Sequence, residues 1–160
     1  MARSKGQQLA SDRAEVGLLL RRLGSDLQEV SRNFGGRHDM NPSDVRALVL
    51  VLDAQRRGET IGPSAIAADL GMTGASVTAL VDRLESVGHL TREADLTDRR
   101  RVVLKVGDEA QRLGGEYFGR LQQRIDGATQ GFTAADLDAV KRYLKAAIDA
   151  VEQHMATDSD

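Results

Sequence analysis

Between Ile61 and Lys105 the sequence changes periodicity in an order that narrows the fold: two short helical stretches around a tight turn, then a β-hairpin whose returning arm opens with three arginines. In the helical part, Ala67, Gly71 and Val77 stand at the offsets a helix-turn-helix needs. Ala67 must be small because the second helix crosses over it. Gly71 falls where the chain leaves the first helix and reverses, a place that favours a residue tolerant of positive φ. Val77 and Leu80 then face back into the angle between the helices. A plain helical hairpin carries the same offsets often enough by chance, so the following segment has to decide. After Gly88 the pattern becomes extended: Leu90 to Ala94, a polar tip from Asp95 to Arg99, then an arm from Arg101 to Val106. That arm alternates, with Val102, Leu104 and Val106 on one face and Val103 and Lys105 on the other. From Arg99 to Lys105 there are four cationic residues and no acid, although Asp95 and Asp98 sit just before them. A hairpin attached directly behind a helix-turn-helix is a wing, an arrangement that serves mainly to push one helix into the major groove of DNA.

The remaining helices are legible from spacing. Residues 9–34 form a first helix with Val16, Leu19, Leu20, Leu23, Leu27, Val30 and Phe34 on one face, ended by Gly35-Gly36. A second begins at Asn41, with Pro42 at its first position and Asp44 in the first turn; it buries Val45, Leu48, Val49 and Leu52 and stops at Arg56-Arg57-Gly58. Thr60-Ile61 reads as a short third strand beside the wing. Pro63 opens the third helix, and Thr73 caps a recognition helix that runs through Ser86. Beyond the wing, Leu113, Tyr117, Leu121 and Ile125 mark a fifth helix. Phe132 and Leu137 staple the start of a sixth around Thr133 and Asp136, and Leu137, Val140, Leu144, Ala147, Val151 and Met155 then follow at near-heptad spacing.

Composition removes several classes of function. The 160 residues suffice for one good core, or one core plus a dimer interface. Without cysteine there is no disulfide, zinc ribbon or thiol sensor. His38, His89 and His154 are far apart and form no metal-spaced pair, so neither metal nor cofactor is expected. No phosphate loop follows a strand and no serine or carboxylate pair has a catalytic context, so the chain does not read as an enzyme. The formal net charge of −2 means that attraction to DNA must come from a local patch on an acidic body. No apolar run approaches the ~18 residues of a membrane span, and the polar start Met1 to Gly6 lacks a signal-peptide core. A cytoplasmic protein with no membrane contact is expected.

The segment resembles the DNA-binding core of the MarR family of bacterial transcriptional regulators, and the resemblance runs roughly from the first helix to the last. Asp98-Arg99-Arg100 followed by Val102-Val103-Leu104 is similar to the family's Asp-x-Arg and alternating strand. Leu80-Val81-Asp82-Arg83-Leu84-Glu85, followed by Gly88, resembles the end of its recognition helix. Three positions depart from the pattern. Val106-Gly107 replaces the usual Leu-Thr, Leu96 stands where the wing tip often has proline, and Ala79 occupies a position where a basic residue is common. The last weakens direct base reading. The fold implied is mainly α with a small β-wing: a winged helix-turn-helix domain over 41–106, flanked by N- and C-terminal dimerisation helices over 9–34 and 108–155, with flexible tails at 1–8 and 156–160. In the resembled family these flanking helices interlock between two subunits. A homodimer places two recognition helices ~34 Å apart and selects a palindromic double-stranded operator.

Chemistry nominates the contacts. Ser76 and Thr78, early in the recognition helix, reach base edges or phosphates. Thr73, and Ser64 at the start of the third helix, lie at helix N-termini that favour phosphate. Arg83 either reaches the DNA backbone or forms a salt bridge around Asp82 and Glu85. By the resemblance, Arg100 enters the minor groove while Asp98 orients the tip by pairing with an arginine; Arg99 and Arg101 are phosphate candidates. The resemblance also implies a repressor modulated by a small aromatic or anionic effector in the cleft between dimerisation helices and winged domain, where His38 is a candidate contact. The competing reading is a winged-helix protein-interaction module without DNA binding, favoured by Ala79 and the acidic balance.

Overall fold

The computed structural model describes residues 5–95 and 98–157; the expectations for the outermost tail residues and for Leu96-Thr97 at the hairpin tip lie outside these. Along the described chain run α1 (Lys5–Arg37), α2 (Pro42–Arg57), α3 (Pro63–Leu70), α4 (Gly74–Ser86), β1 (Leu90–Ala94), β2 (Val102–Val106), α5 (Asp108–Ala128) and α6 (Ala134–Thr157). The fold is mainly helical with one small antiparallel sheet. Lys5 to Gln8 belong to α1 and Ala156-Thr157 to α6, where the sequence suggested flexible tails. No single helix among the described residues is long and apolar enough to cross a membrane.

Helix ends are written in local chemistry. Asn41 caps α2, Pro42 supplies its first turn, and the Asp44 carboxylate accepts the Asn41 N–H at 2.9 Å. At the end of α3, Gly71 takes φ 61° while Met72 N–H closes onto the Ala67 carbonyl at 3.0 Å. At the end of α4, Gly88 takes φ 74° while His89 N–H reaches the Leu84 carbonyl at 2.8 Å. These are left-handed caps that satisfy the last carbonyls of each helix. The first helix departs from expectation. It does not stop at Gly35-Gly36; the left-handed residue is Asp39 (φ 53°), and Met40 N–H folds back onto the Gly35 carbonyl at 2.9 Å. Aspartate is one of the few side chains that tolerates this region. Gly35 serves packing instead, since a Cβ there would lie 2.8 Å from the Met40 carbonyl oxygen.

Residues up to Tyr117 form one compact unit and those from Phe118 onward a second. The core of the first unit gathers Val51, Ile66, Val77, Val81, Leu84, Leu90 and Leu104, all essentially inaccessible. Each contributes about 1.5–3 kcal/mol by burial. On α2 the buried stripe differs from the expected one: Val49 is exposed and Leu52 half-buried, while Ala47, Val51 and Ala54 point inward beside Val45 and Leu48. The 3.6-residue period is kept, but small alanines carry part of it.

The hairpin pairs Leu90 with Val106 and Ala94 with Val102. Its alternation is broken at two places, because Val103 is buried and Val102 exposed. β2 packs against α2 and α3, and its Leu104 N–H donates to the Ile61 carbonyl at 2.8 Å, so this arm is covered more fully than a free hairpin arm. That single bond is all that remains of the expected third strand, and the sheet is two-stranded.

In the second unit, α6 begins with a reciprocal cap. Thr133 N–H donates to Asp136 at 2.9 Å and Asp136 N–H donates to Thr133 Oγ1 at 3.2 Å. The Thr133 hydroxyl and backbone bonds hold the Asp136 carboxyl below the usual carboxylate range. No described residue of α6 is buried, and Leu137, Val140, Leu144, Ile148, Val151 and Met155 are 38–58% exposed. On α1 of the first unit, Leu9, Leu19, Leu23 and Leu27 are likewise exposed.

Gly107, which departs from the usual strand ending, has a steric reason: a Cβ there would collide with the Gly88 carbonyl, where Gly107 N–H bonds the His89 carbonyl at 2.9 Å. Gly107→Ala should therefore cost about 1–3 kcal/mol, as overpacking does. Urea unfolding measures this, and an unchanged midpoint would show that the backbone yields.

Candidate nucleic-acid interface

The axes of α3 and α4 turn through 115° at the Gly71 corner, within the range of a helix-turn-helix. Val77 and Leu80 fill the inside of that corner and are buried, which leaves Ser76, Thr78 and Ala79 on the outer face of α4. Ser64 is exposed in the first turn of α3, whose N-cap is Gly62, so this serine is not the cap. Thr73 is exposed and caps α4, with its Oγ1 accepting Ser76 N–H at 3.2 Å and lying 2.9 Å from Ser76 Oγ. The Thr78 hydroxyl donates to the Gly74 carbonyl at 2.9 Å, which fixes its rotamer and leaves its oxygen able to accept.

In the wing, Arg99, Arg100 and Arg101 are all exposed. Asp98 organises the turn: its carboxylate accepts Arg100 N–H at 3.1 Å and lies 3.5 Å from Arg100 Nε, while its carbonyl accepts Arg101 N–H at 2.8 Å. Asp95 is buried and accepts Asp98 N–H at 3.3 Å. The Arg100 side chain nevertheless remains 94% exposed, so the ion pair holds it loosely.

Arg83 does not pair with Asp82 or Glu85. Its guanidinium binds the carboxylate of Asp44, a buried residue at the start of α2. Asp82 and Glu85 are both paired with Arg92 of β1 instead, which ties the wing to the recognition helix. Sequence reasoning missed Asp44 and Arg92 as partners, because the pairs join residues distant in the chain and neither follows a helical i,i+4 rule. Lys105 and Glu93 form a further cross-strand pair at 2.6 Å.

A cleft of about 540 Å³ opens in the first unit between the end of α1, the start of α2, the end of α4 and the start of α5. His38 lines it, its ring tilted at 54° to that of Phe34 with centroids 4.8 Å apart, together with Arg37, Asp44, Arg83, His89 and Glu109. His38 and His89, distant in sequence, thus share one wall. His89 is 7% exposed and its Nδ1 has no hydrogen-bond partner among the described residues. Burial pushes its pKa below the ordinary value, with nearby Glu109 opposing, His38 adding to the depression and Asp44 opposing. Glu109 is itself held below the usual carboxylate range by hydrogen bonds from Arg112, at 2.6 and 3.0 Å. No cluster of three or more metal-ligating side chains occurs among the described residues.

A bent helix pair with its second helix exposed, backed by a cationic hairpin, defines a winged helix-turn-helix protein. Residues 38–101 match the model of the MarR family. The chain is 33% identical over 85 residues to an uncharacterised HTH-type transcriptional regulator, YcgE, of Bacillus subtilis. That match covers 53% of this chain and about half, 55%, of the relative's length. Solved structures share the fold. A mutant of MepR from a multidrug-resistant S. aureus clinical isolate superposes with a TM-score of 0.67 at 16% identity, over 85% of this chain and 96% of its own. The S. aureus MepR–DNA complex gives 0.55 at 16% identity, over 83% and 94%.

The state of His89 makes stability depend on pH with a definite sign. Its pKa is lower folded than unfolded, so the unfolded chain binds the proton more tightly. The stabilisation is complete above about pH 6.5 and falls as the pH drops below that value. Urea unfolding of wild type and His89→Gln at pH 7.5 and 5.5 should show the wild type losing more stability; parallel losses would place the effect elsewhere.

Proposed function

We propose that the chain is a homodimeric, sequence-specific DNA-binding regulator of transcription, acting as a repressor in the cytoplasm and modulated by a small aromatic or anionic effector. The observation that carries this reading is the placement of three exposed arginines on a hairpin directly behind an exposed recognition helix whose own acids are already paired. The S. aureus relative of the same fold, crystallised with DNA, supports it. In this reading α4 lies in the major groove with Ser76 and Thr78 toward base edges. Thr73 and Ser64 lie where helix N-termini favour phosphate. Arg100 enters the minor groove, Asp98 orients the tip, and Arg99 and Arg101 meet phosphates. The winged domain spans 41–106.

The helices on either side, over 9–34 and 108–155, form the dimerisation region. The exposed leucines and valines of α1 and α6 support this, because apolar rows of this length are seldom left in water. Two-fold pairing then selects a palindromic operator. The effector occupies the cleft beside His38. An effector that changes the spacing of the two heads releases DNA, since two coupled half-sites lose most of their joint affinity when one is misplaced.

Binding to the DNA upstream of the coding region, titrated in salt, tests the reading. Arg100→Ala should weaken binding at least tenfold, about 1.4 kcal/mol. Each lost phosphate contact should lower the salt slope by about 0.9. Equal affinity of wild type for random DNA, indifferent to Arg100, would favour the protein-interaction alternative. For the dimer, Leu144→Glu with Val151→Glu should give monomers at micromolar concentration in sedimentation equilibrium, with helix content kept; an intact dimer would remove α6 from the interface.

A further inference from the structure

Asp44 is 2% exposed, and each of its carboxylate oxygens has one partner. Oδ2 accepts the Asn41 N–H at 2.9 Å, and Oδ1 accepts the guanidinium of Arg83 from the last turn of α4. One buried carboxylate thus joins the start of α2 to the far end of the recognition helix. Arg83 has acids closer in sequence, Asp82 and Glu85, but both are held by Arg92. Its side chain is 48% exposed, so it is free enough to move and yet is drawn inward. If Arg83 swung out to a phosphate, it would leave a carboxylate buried without a cation, which costs far more than an exposed ion pair returns.

We propose, on the DNA-binding reading above, that Asp44 is a positioning residue for DNA recognition: it holds Arg83, and through it the tilt of α4, so that Arg83 is a structural tie and not a phosphate contact. The same end of α4 is held on its other side by Arg92, through Asp82 and Glu85. α4 is therefore held from two sides, by α2 through Asp44 and by the wing through Arg92. Loss of the first tie lets the helix pivot about the second, which misplaces Ser76 and Thr78 without removing any group that faces DNA.

The test compares full-length wild type, Asp44→Asn, Arg83→Met, their double variant and the milder Arg83→Lys. Operator and random-sequence DNA are titrated at several salt concentrations, and hydrogen exchange of the α4 amides is followed without DNA. Each single variant should lose about tenfold in operator affinity and narrow the preference over random DNA. The salt slope should stay at the wild-type value, and the amides of 80–86 should exchange faster. The double variant should be no worse than the weaker single one, and Arg83→Lys, which keeps the charge, should fall between wild type and Arg83→Met. Arg83→Lys also covers the case in which Asp44→Asn fails to fold. A drop of about 0.9 in salt slope for Arg83→Met, with affinity kept or raised in Asp44→Asn, would overturn the proposal and make Arg83 a phosphate ligand. Operator binding equal to wild type in every variant would overturn it alone. Failure of wild type itself to bind DNA would remove the DNA-binding reading and this inference together.

Discussion

The corner between α3 and α4 is the constraint on which the rest of the first unit depends. It exists because Gly71 can adopt a left-handed conformation at no steric cost and because Val77 and Leu80 fill the inside of the bend. With the apolar side of α4 committed inward, its hydroxyl-bearing side has nowhere to go but solvent. The buried leucines of β1 and β2 then close the same core from behind, so the hairpin projects beside the helix instead of packing over it. Recognition surface and core are two faces of one packing decision.

Charge is arranged on the same plan. A chain of net charge −2 presents arginines at its hairpin turn, while the acids nearest to them are engaged in specific pairs. Arg92 covers Asp82 and Glu85, Asp98 is bound into the turn, and Asp95 is buried. The positive patch is thus made as much by occupying nearby carboxylates as by supplying arginines.

Much of this was legible from residues alone. Pro42, Pro63, Gly58, Gly71, Thr73 and Gly88 mark element ends through strong local preferences, and each stands where the sequence placed it. What escaped was non-local. The end of α1 was misread because Gly35-Gly36 looks like a stop, whereas Gly35 is small to admit the Met40 carbonyl and the turn is made by Asp39. Val103 is covered by neighbours that strand alternation cannot foresee. The Asp44–Arg83 tie and the shared wall of His38 and His89 depend on which helices meet, and periodicity is silent on that. Gly107, in sequence only a departure from the usual Leu-Thr ending, is required by the close approach of the Gly88 carbonyl.

The exposed row from Leu137 to Met155 has a consequence for how much of the protein has to be present at all. Where such faces are covered only by a second chain, as proposed here, folding and assembly share one equilibrium and the free energy of the native state carries a concentration term. A dilute population would then be both fewer in number and less stable per molecule. Its response to falling abundance would be steeper than proportional, a threshold set by mass action and not by any ligand.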